Sequence, residues 1–261
     1  MLNNVLKERL RKGETVVGSW NIIPSSSLVE IIGYSGFDFV IIDSEHGPVT
    51  VETAESLLRA SEVAGIPAIF RVSSLESQFI LRALDIGACG IQVPHVSSEK
   101  QACFAVECAK YHPLGKRGFS PFTRAARYSL DAQNHTCRSN EAVLLVLNIE
   151  GAEGIKNLKK IVKVPGIDVI FIGPYDLSQS YGKPGEVEDK KIIRGIRQSV
   201  AIAEQAGIAC GSFARDMRYL DILLDCGVRY LTYMVDSSII LNTYKTLRAT
   251  IQKKIDQKKA V

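Results

Sequence analysis

Residues 38–72, DFVIIDSEHGPVTVETAESLLRASEVAGIPAIFRV, decide the fold. A short run rich in β-branched residues, DFVIID, leads through a turn into an amphipathic stretch, VETAESLLRASEVAG. That stretch closes on a glycine suited to a helix C′ position, and a second apolar run, PAIFRV, starts at once. Both runs are nearly continuous in apolar character, as parallel strands covered on both faces require. The unit reads as strand, helix, strand.

Moving outward in both directions, the same unit recurs. Strand candidates are 16–22, 38–43, 67–72, 90–95, 143–150, 168–173, 208–213 and 229–235, and KIIRGIRQSVAIAEQAG (191–207) is another helix closing on glycine before a strand. About eight such units in 261 residues predict an α/β fold, a (β/α)8 TIM barrel built as a single domain over 1–261. An open doubly wound sheet is less economical, and no GxGxxG follows the first strand. The start, MLNNVLKERLRKGE, suits a short amphipathic helix and lacks the apolar run of a signal peptide. Residues 236–261 read as a C-terminal helix with a basic tail. Residues 111–141 exceed ordinary loop lengths and are expected to form a long functional loop after strand four.

Composition narrows the function. An apolar share of 46% excludes disorder, and with 23% charged residues the chain is of ordinary globular type. The net charge of +4 lies wholly in residues 248–261, so the body has no electrostatic reason to seek nucleic acid. Six cysteines form no CxxC pair, which fits reduced thiols in a cytoplasm. With no uninterrupted apolar stretch of about 18 residues, no membrane span is expected.

In a barrel, chemistry belongs at the C-terminal ends of the strands. Asp43, Ser44, Glu45 and His46 stand after strand two, Arg71 after strand three, and Gln92, Pro94 and His95 after strand four. Asn148 and Glu150 end strand five, and strand six runs into Gly173, Pro174, Tyr175 and Asp176. Glu150 and Asp176 are hard oxygen donors for a divalent cation, which takes its other ligands from water and substrate. Their alternative roles are a helix cap for Glu150 and an ion pair for Asp176. Either His46 or His95 can serve as a base, and spacing does not choose between them. Arg71 suits capture of an anionic substrate, or an internal salt bridge to Asp43 or Glu45. None of these positions is a lysine, which argues against Schiff-base chemistry and leaves a metal as the electron sink.

The segments DFVIIDSEHGP, PAIFRV, ALDIGACGIQVPHV, HPLGKRG with RAARY, NIE and FIGPYDLS, in this order and spacing, resemble the class II, metal-dependent 2-oxo acid aldolases of the HpcH/HpaI family, within the phosphoenolpyruvate/pyruvate barrel superfamily. The resemblance runs from about residue 5 to about residue 250. It implies His46 as catalytic base tuned by Asp85, Arg71 steadying negative charge, and Glu150 with Asp176 holding Mg²⁺, Mn²⁺ or Co²⁺. It further implies that Asn148 and the Gly173–Pro174–Tyr175–Asp176 turn contact pyruvate, and that Gly115, Arg117 and Gly118 form a GxRG region near the mouth. The reaction implied is cleavage or formation of a 2-oxo-4-hydroxy acid from pyruvate and an aldehyde. A homo-oligomer is implied as well, commonly a hexamer with the last helix on a neighbour. Two positions depart from the family pattern: Asn148 replaces the usual glutamine, shortening its reach, and Tyr175 replaces a small residue, narrowing the pocket. A lyase or decarboxylase acting on a CoA ester, and a noncatalytic oxo-acid-binding barrel, are the alternatives these departures leave open.

Overall fold

The computed structural model describes residues 5–259. Its elements, in order, are α1 (Val5–Arg11), β1 (Val16–Asn21), α2 (Ser26–Tyr34), β2 (Phe39–Asp43), α3 (Val51–Val63), β3 (Ala68–Arg71), α4 (Ser77–Asp85), β4 (Gly90–Val93) and α5 (Glu99–Ala109). There follow α6 (Ala132–Ala142), β5 (Leu144–Ile149), α7 (Ala152–Ile161), β6 (Val169–Ile172), α8 (Pro174–Ser180), α9 (Lys190–Gln205), β7 (Ala209–Ala214), α10 (Met217–Asp225), β8 (Tyr230–Val235) and α11 (Asp236–Lys259). The eight strands close in sequence order into a parallel barrel, β8 returning to β1 with Val16 opposite Tyr230. Each strand candidate of the sequence contributes one strand.

Strand periodicity divides the apolar residues between two cores. Along β2, Val40 and Ile42 face the helices, while Phe39 and Ile41 point into the barrel with Ile69, Val146, Phe171 and Tyr230. The interior is tight enough to dictate a glycine: a Cβ on Gly18 would stand 2.4 Å from the Phe39 ring. Phe39 stacks in turn on Tyr230, centroids 4.4 Å apart. Helices start on side-chain caps, Thr50 accepting from the Thr53 amide and Asp216 from the Tyr219 amide. After α3 the chain turns at Gly65, where φ is +69°, a conformation glycine adopts without strain.

α1 plugs the foot of the barrel, placing Leu6 and Leu10 against the interior cluster. The expected long loop differs from the structure. It contains a 3-10 segment at Arg127–Ser129 and the helix α6, whose sequence AQNHTCRSNEA buries only His135 and Ser139 and so shows no apolar periodicity to announce it. Its first part packs at the foot, because α5 returns the chain there: Arg117 N donates to Lys110 O, Ala125 N to Asp85 O, and Arg124 to Ile86 O.

Candidate active site

At the C-terminal ends of the strands lies a cavity of about 350 Å³. Asp43, His46, Arg71, Glu150 and Asp176 form its polar side, and Trp20, Ile22, Phe171, Tyr175, Phe213 and Val235 its apolar side. Gly173 and Pro174 complete the wall between Glu150 and Asp176. A larger cavity of about 540 Å³ opens at the foot, around Lys7, Lys110 and Asp168. The mouth is where a barrel of this type carries chemistry, and the foot is where it carries stability.

Asp43, the last residue of β2, organises the first half of the site. Its carboxylate accepts from Arg71 Nε at 2.8 Å and Nη2 at 2.5 Å, and also from the amides of Glu45 at 2.9 Å and His46 at 3.3 Å. One side chain thereby fixes both the guanidinium and the turn that presents His46. Arg71 Nη1 lies 2.9 Å from Glu45 Oε2, and the guanidinium sits 4.3 Å above the Trp20 ring. The internal pairing of Arg71 that the sequence left open is formed with both acids. A planar, doubly paired, stacked cation of this kind is oriented rather than free.

The second half gathers around Glu150, which follows β5. Glu150 Oε1 accepts from Asn148 Nδ2 at 2.9 Å, and Asn148 Oδ1 accepts from Gln92 Nε2 at 2.8 Å. Glu150 Oε2 accepts from the amide of His95 at 3.0 Å and lies 3.1 Å from its Nδ1, while His95 Nε2 is 3.1 Å from Glu45. This bridge depends on an unusual backbone, for His95 has a φ of +56°. Such a conformation costs about 1–3 kcal/mol and is tolerated where the surroundings enforce it. Burial pushes the Glu150 carboxyl above its ordinary value, against the stabilising His95 contacts, and the neighbouring charges of Glu45 and Asp176 push the same way. The site therefore concentrates more negative charge than its own cations satisfy.

This donor set fits a divalent cation. Glu150 and Asp176 line one wall, and glycine at 173 keeps the carboxylate uncrowded, since a Cβ there would stand 2.7 Å from Glu150 Cγ. Among the described residues no three His, Cys, Asp or Glu side chains are grouped to hold a metal unaided. Two carboxylates with substrate and water completing the shell is the arrangement that suits Mg²⁺ and its relatives.

The structure brings His46, Arg71, Glu150, Gly173, Pro174, Tyr175 and Asp176 together on one cavity. Three other expected positions do not line this cavity within one chain. Asn148 is fully buried, is absent from the cavity lining, and donates to Glu150, whose carboxylate it orients. Asp85 closes α4 at the foot of the barrel, at the opposite end from His46, and pairs with Arg117 at 2.7 Å. Gly115, Arg117 and Gly118 are likewise at the foot within one chain; a Cβ on Gly115 would lie 2.2 Å from Lys110 O, so this glycine serves a tight turn. Reading by sequence offered Asp43 as a partner of Arg71 but missed that it also holds the turn to His46, and it missed the support Gln92 gives Asn148. The pairing follows from the register, which sets Asp43 directly opposite Arg71.

The chain is similar to known proteins along most of its length. The family model described as HpcH/HpaI aldolase/citrate lyase matches residues 18–243. A pyruvate aldolase of Rhizobium etli is 32% identical, covering 94% of this chain and 96% of its own. A 2-keto-3-deoxy-L-rhamnonate aldolase of Klebsiella pneumoniae is 34% identical, covering 92% of this chain and 90% of its own. Among solved structures, an HpcH/HpaI aldolase/citrate lyase family protein from Burkholderia cenocepacia superposes with a TM-score of 0.92 at 30% identity, covering 96% of this chain and all of that one. The citrate synthase SbnG gives 0.87 at 32% identity, covering 98% of this chain and all of that one. With relatives that are named carbon–carbon lyases aligned along nearly its whole length, the chain belongs to the HpcH/HpaI aldolase/citrate lyase family.

Proposed function

We propose that the protein is a divalent-metal-dependent aldolase that cleaves or forms a 2-oxo-4-hydroxy acid, with pyruvate and an aldehyde as the smaller partners. The observation that carries this reading is the meeting of Glu150 and Asp176, from different βα units, on one wall with His46 and Arg71 beside them. Glu150 and Asp176 would hold Mg²⁺, Mn²⁺ or Co²⁺, which supplies Lewis-acid stabilisation of the pyruvate enolate worth several kcal/mol. His46 takes the proton from the 4-hydroxyl in cleavage, the C3–C4 bond breaks, and the aldehyde departs. The proton then goes to C3 of the enolate, giving pyruvate; in the reverse direction a proton is first taken from the pyruvate methyl group, and His46 returns it to the new alkoxide. Arg71, locked by Asp43 and Glu45, steadies negative charge developing on the oxygen that reacts. The Gly173–Pro174–Tyr175 turn lines the cavity next to Asp176 and would contact the oxo acid.

Exchange of pyruvate methyl protons with deuterium oxide tests this directly. We expect exchange that stops with chelator and returns with Mg²⁺ or Mn²⁺; exchange indifferent to chelator rejects the metal role. His46→Ala should abolish exchange while Mn²⁺ still binds. A second reading is another carbon–carbon bond reaction, with a CoA ester as one candidate substrate; the likeness to a protein named citrate synthase supports the bond chemistry. Release of free CoA without aldol turnover would favour it. No described helix is long and apolar enough to cross a membrane. The exposed apolar residues of α11 support a homo-oligomer.

A further inference from the structure

The cavity lining holds two chemically different sets of residues, and the aromatic side chains of the second carry no proton or charge in the reaction just described. Among them, Trp20 and Phe171 meet edge to face with centroids 6.0 Å apart. Tyr175 and Phe213 form a second aromatic pair, 5.9 Å apart and tilted by 59°. Ile22 and Val235 fill the wall next to them. Tyr175 is 44% exposed at the second residue of α8, so its ring stands at the entrance rather than in the core.

The charges around this wall matter as much as its shape. Arg71, the guanidinium that lines the cavity, already faces Asp43 and Glu45. Just beyond Phe213, Arg215 pairs with Glu188 and Asp216, and Arg218 pairs with the same Glu188. His95 is spent between Glu45 and Glu150. In the loaded protein Glu150 and Asp176 would be taken up by the cation, and Arg71 is committed to Asp43 and Glu45, so the lining leaves no arginine or lysine for a phosphate or carboxylate on the aldehyde. A polyhydroxylated chain would press hydroxyls against rings that offer few partners.

From these observations we infer that the aldehyde taken by this site is neutral and carries an apolar chain or ring, which packs against the Tyr175–Phe213 edge. The inference rests on the aldolase reading and narrows it to a substrate class. Apolar burial gives about a fourfold gain in kcat/KM for each added CH₂.

The test uses the full-length, metal-loaded protein with saturating pyruvate and a series of straight-chain aldehydes from acetaldehyde to hexanal. Benzaldehyde, succinic semialdehyde and glyceraldehyde 3-phosphate extend the series. We expect kcat/KM to climb along the series and the two charged aldehydes to fall at least about tenfold below a neutral one of equal length. Tyr175→Ala should flatten the climb to about twofold per CH₂ or less, Tyr175→Phe should keep it, and Phe213→Ser gives a second, independent flattening. The slope is a ratio within one variant, so loss of overall activity does not move it. A flat or falling series in the wild type, a preference for a charged aldehyde, or a slope untouched by both Tyr175→Ala and Phe213→Ser overturns the inference. Trp20, the single tryptophan of the chain, lines the cavity, so its emission reports occupancy without turnover. Titration with butanol, hexanol and octanol should give affinity rising with length, and no rise counts against the inference. Absence of pyruvate proton exchange together with a rising alcohol series would reject the aldolase reading and leave the apolar wall standing.

Discussion

Glu150 carries the conflict between folding and function in its own side chain. Its carboxyl is raised by burial and by the nearby charges of Glu45 and Asp176, so in the metal-free protein the ionised form is disfavoured relative to the unfolded chain. A raised carboxyl loses stability as pH climbs from the ordinary value of 4.5 to the folded value, and the penalty stays at neutral pH. Glu150→Gln should therefore raise the melting temperature of the metal-free protein at pH 7 by about 2–4 °C, with no gain at pH 4. The same change should weaken Mn²⁺ binding more than about 100-fold, beyond what loss of an outer partner costs. Calorimetry on one sample reads both, and a variant that melts lower at pH 7 contradicts the assignment. Arg71 is the companion case: its fork spans Asp43 and Glu45 while its plane lies on Trp20, a geometry an ammonium cannot copy. Arg71→Lys should lower kcat/KM by about 100-fold with Mn²⁺ affinity within about threefold of wild type. Residues at strand ends were legible because the barrel dictates where they go. The position of Asp85 at the foot was not, because a motif gives an order along the chain and says nothing about which end of a helix a residue occupies.

The elements repeat this division. Each strand could be read from a continuous apolar run, since burial on both faces leaves few polar residues in it, and α3 and α9 from their periodicity and closing glycines. α6 stayed hidden because it is polar nearly all round. α11 was legible as a helix, but its sequence could not show how little of it meets its own barrel. Its buried residue is Asp236, which accepts from Asn21 Nδ2 at 2.8 Å and from the amides of Ile22 and Ile23. Farther along, Leu241, Tyr244, Leu247, Ile251 and Ile255 are exposed and fall within about a third of the helix circumference. A stripe of this length on a helix of 24 residues fits a second copy of the chain. The double variant Leu247→Glu with Ile251→Glu should shift the protein to smaller oligomers in sedimentation velocity; an unchanged sedimentation coefficient rules the stripe out as the contact.

At the scale of the whole molecule, the two ends of the barrel divide the work, and the foot permits a test that the mouth does not. Lys110 is buried there, its Nζ donating to Asn140 O at 2.9 Å and to Val143 O at 2.8 Å, while Lys7 donates to the same Val143 O at 3.1 Å. Burial, with Lys7 close by, pulls the Lys110 ammonium down to about 7 from its ordinary 10.5. Between those values the unfolded chain holds a proton that the folded chain has lost, so this group makes stability rise with pH across the window and is most costly below pH 7. Lys110→Met removes the titration along with the two hydrogen bonds. Denaturation midpoints measured at pH 7 and pH 10 should thus separate wild type from variant increasingly in favour of the wild type as pH rises. A gap that is constant or shrinks would show that Lys110 keeps an ordinary ammonium. Because the foot contributes no group to the cavity at the mouth, aldol turnover by Lys110→Met at pH 7 should stay within about twofold of wild type, whereas Glu150→Gln gains stability and loses activity. A change in the pH dependence of stability with activity kept at the foot, against activity lost with stability gained at the mouth, would separate what holds the barrel closed from what makes it an enzyme.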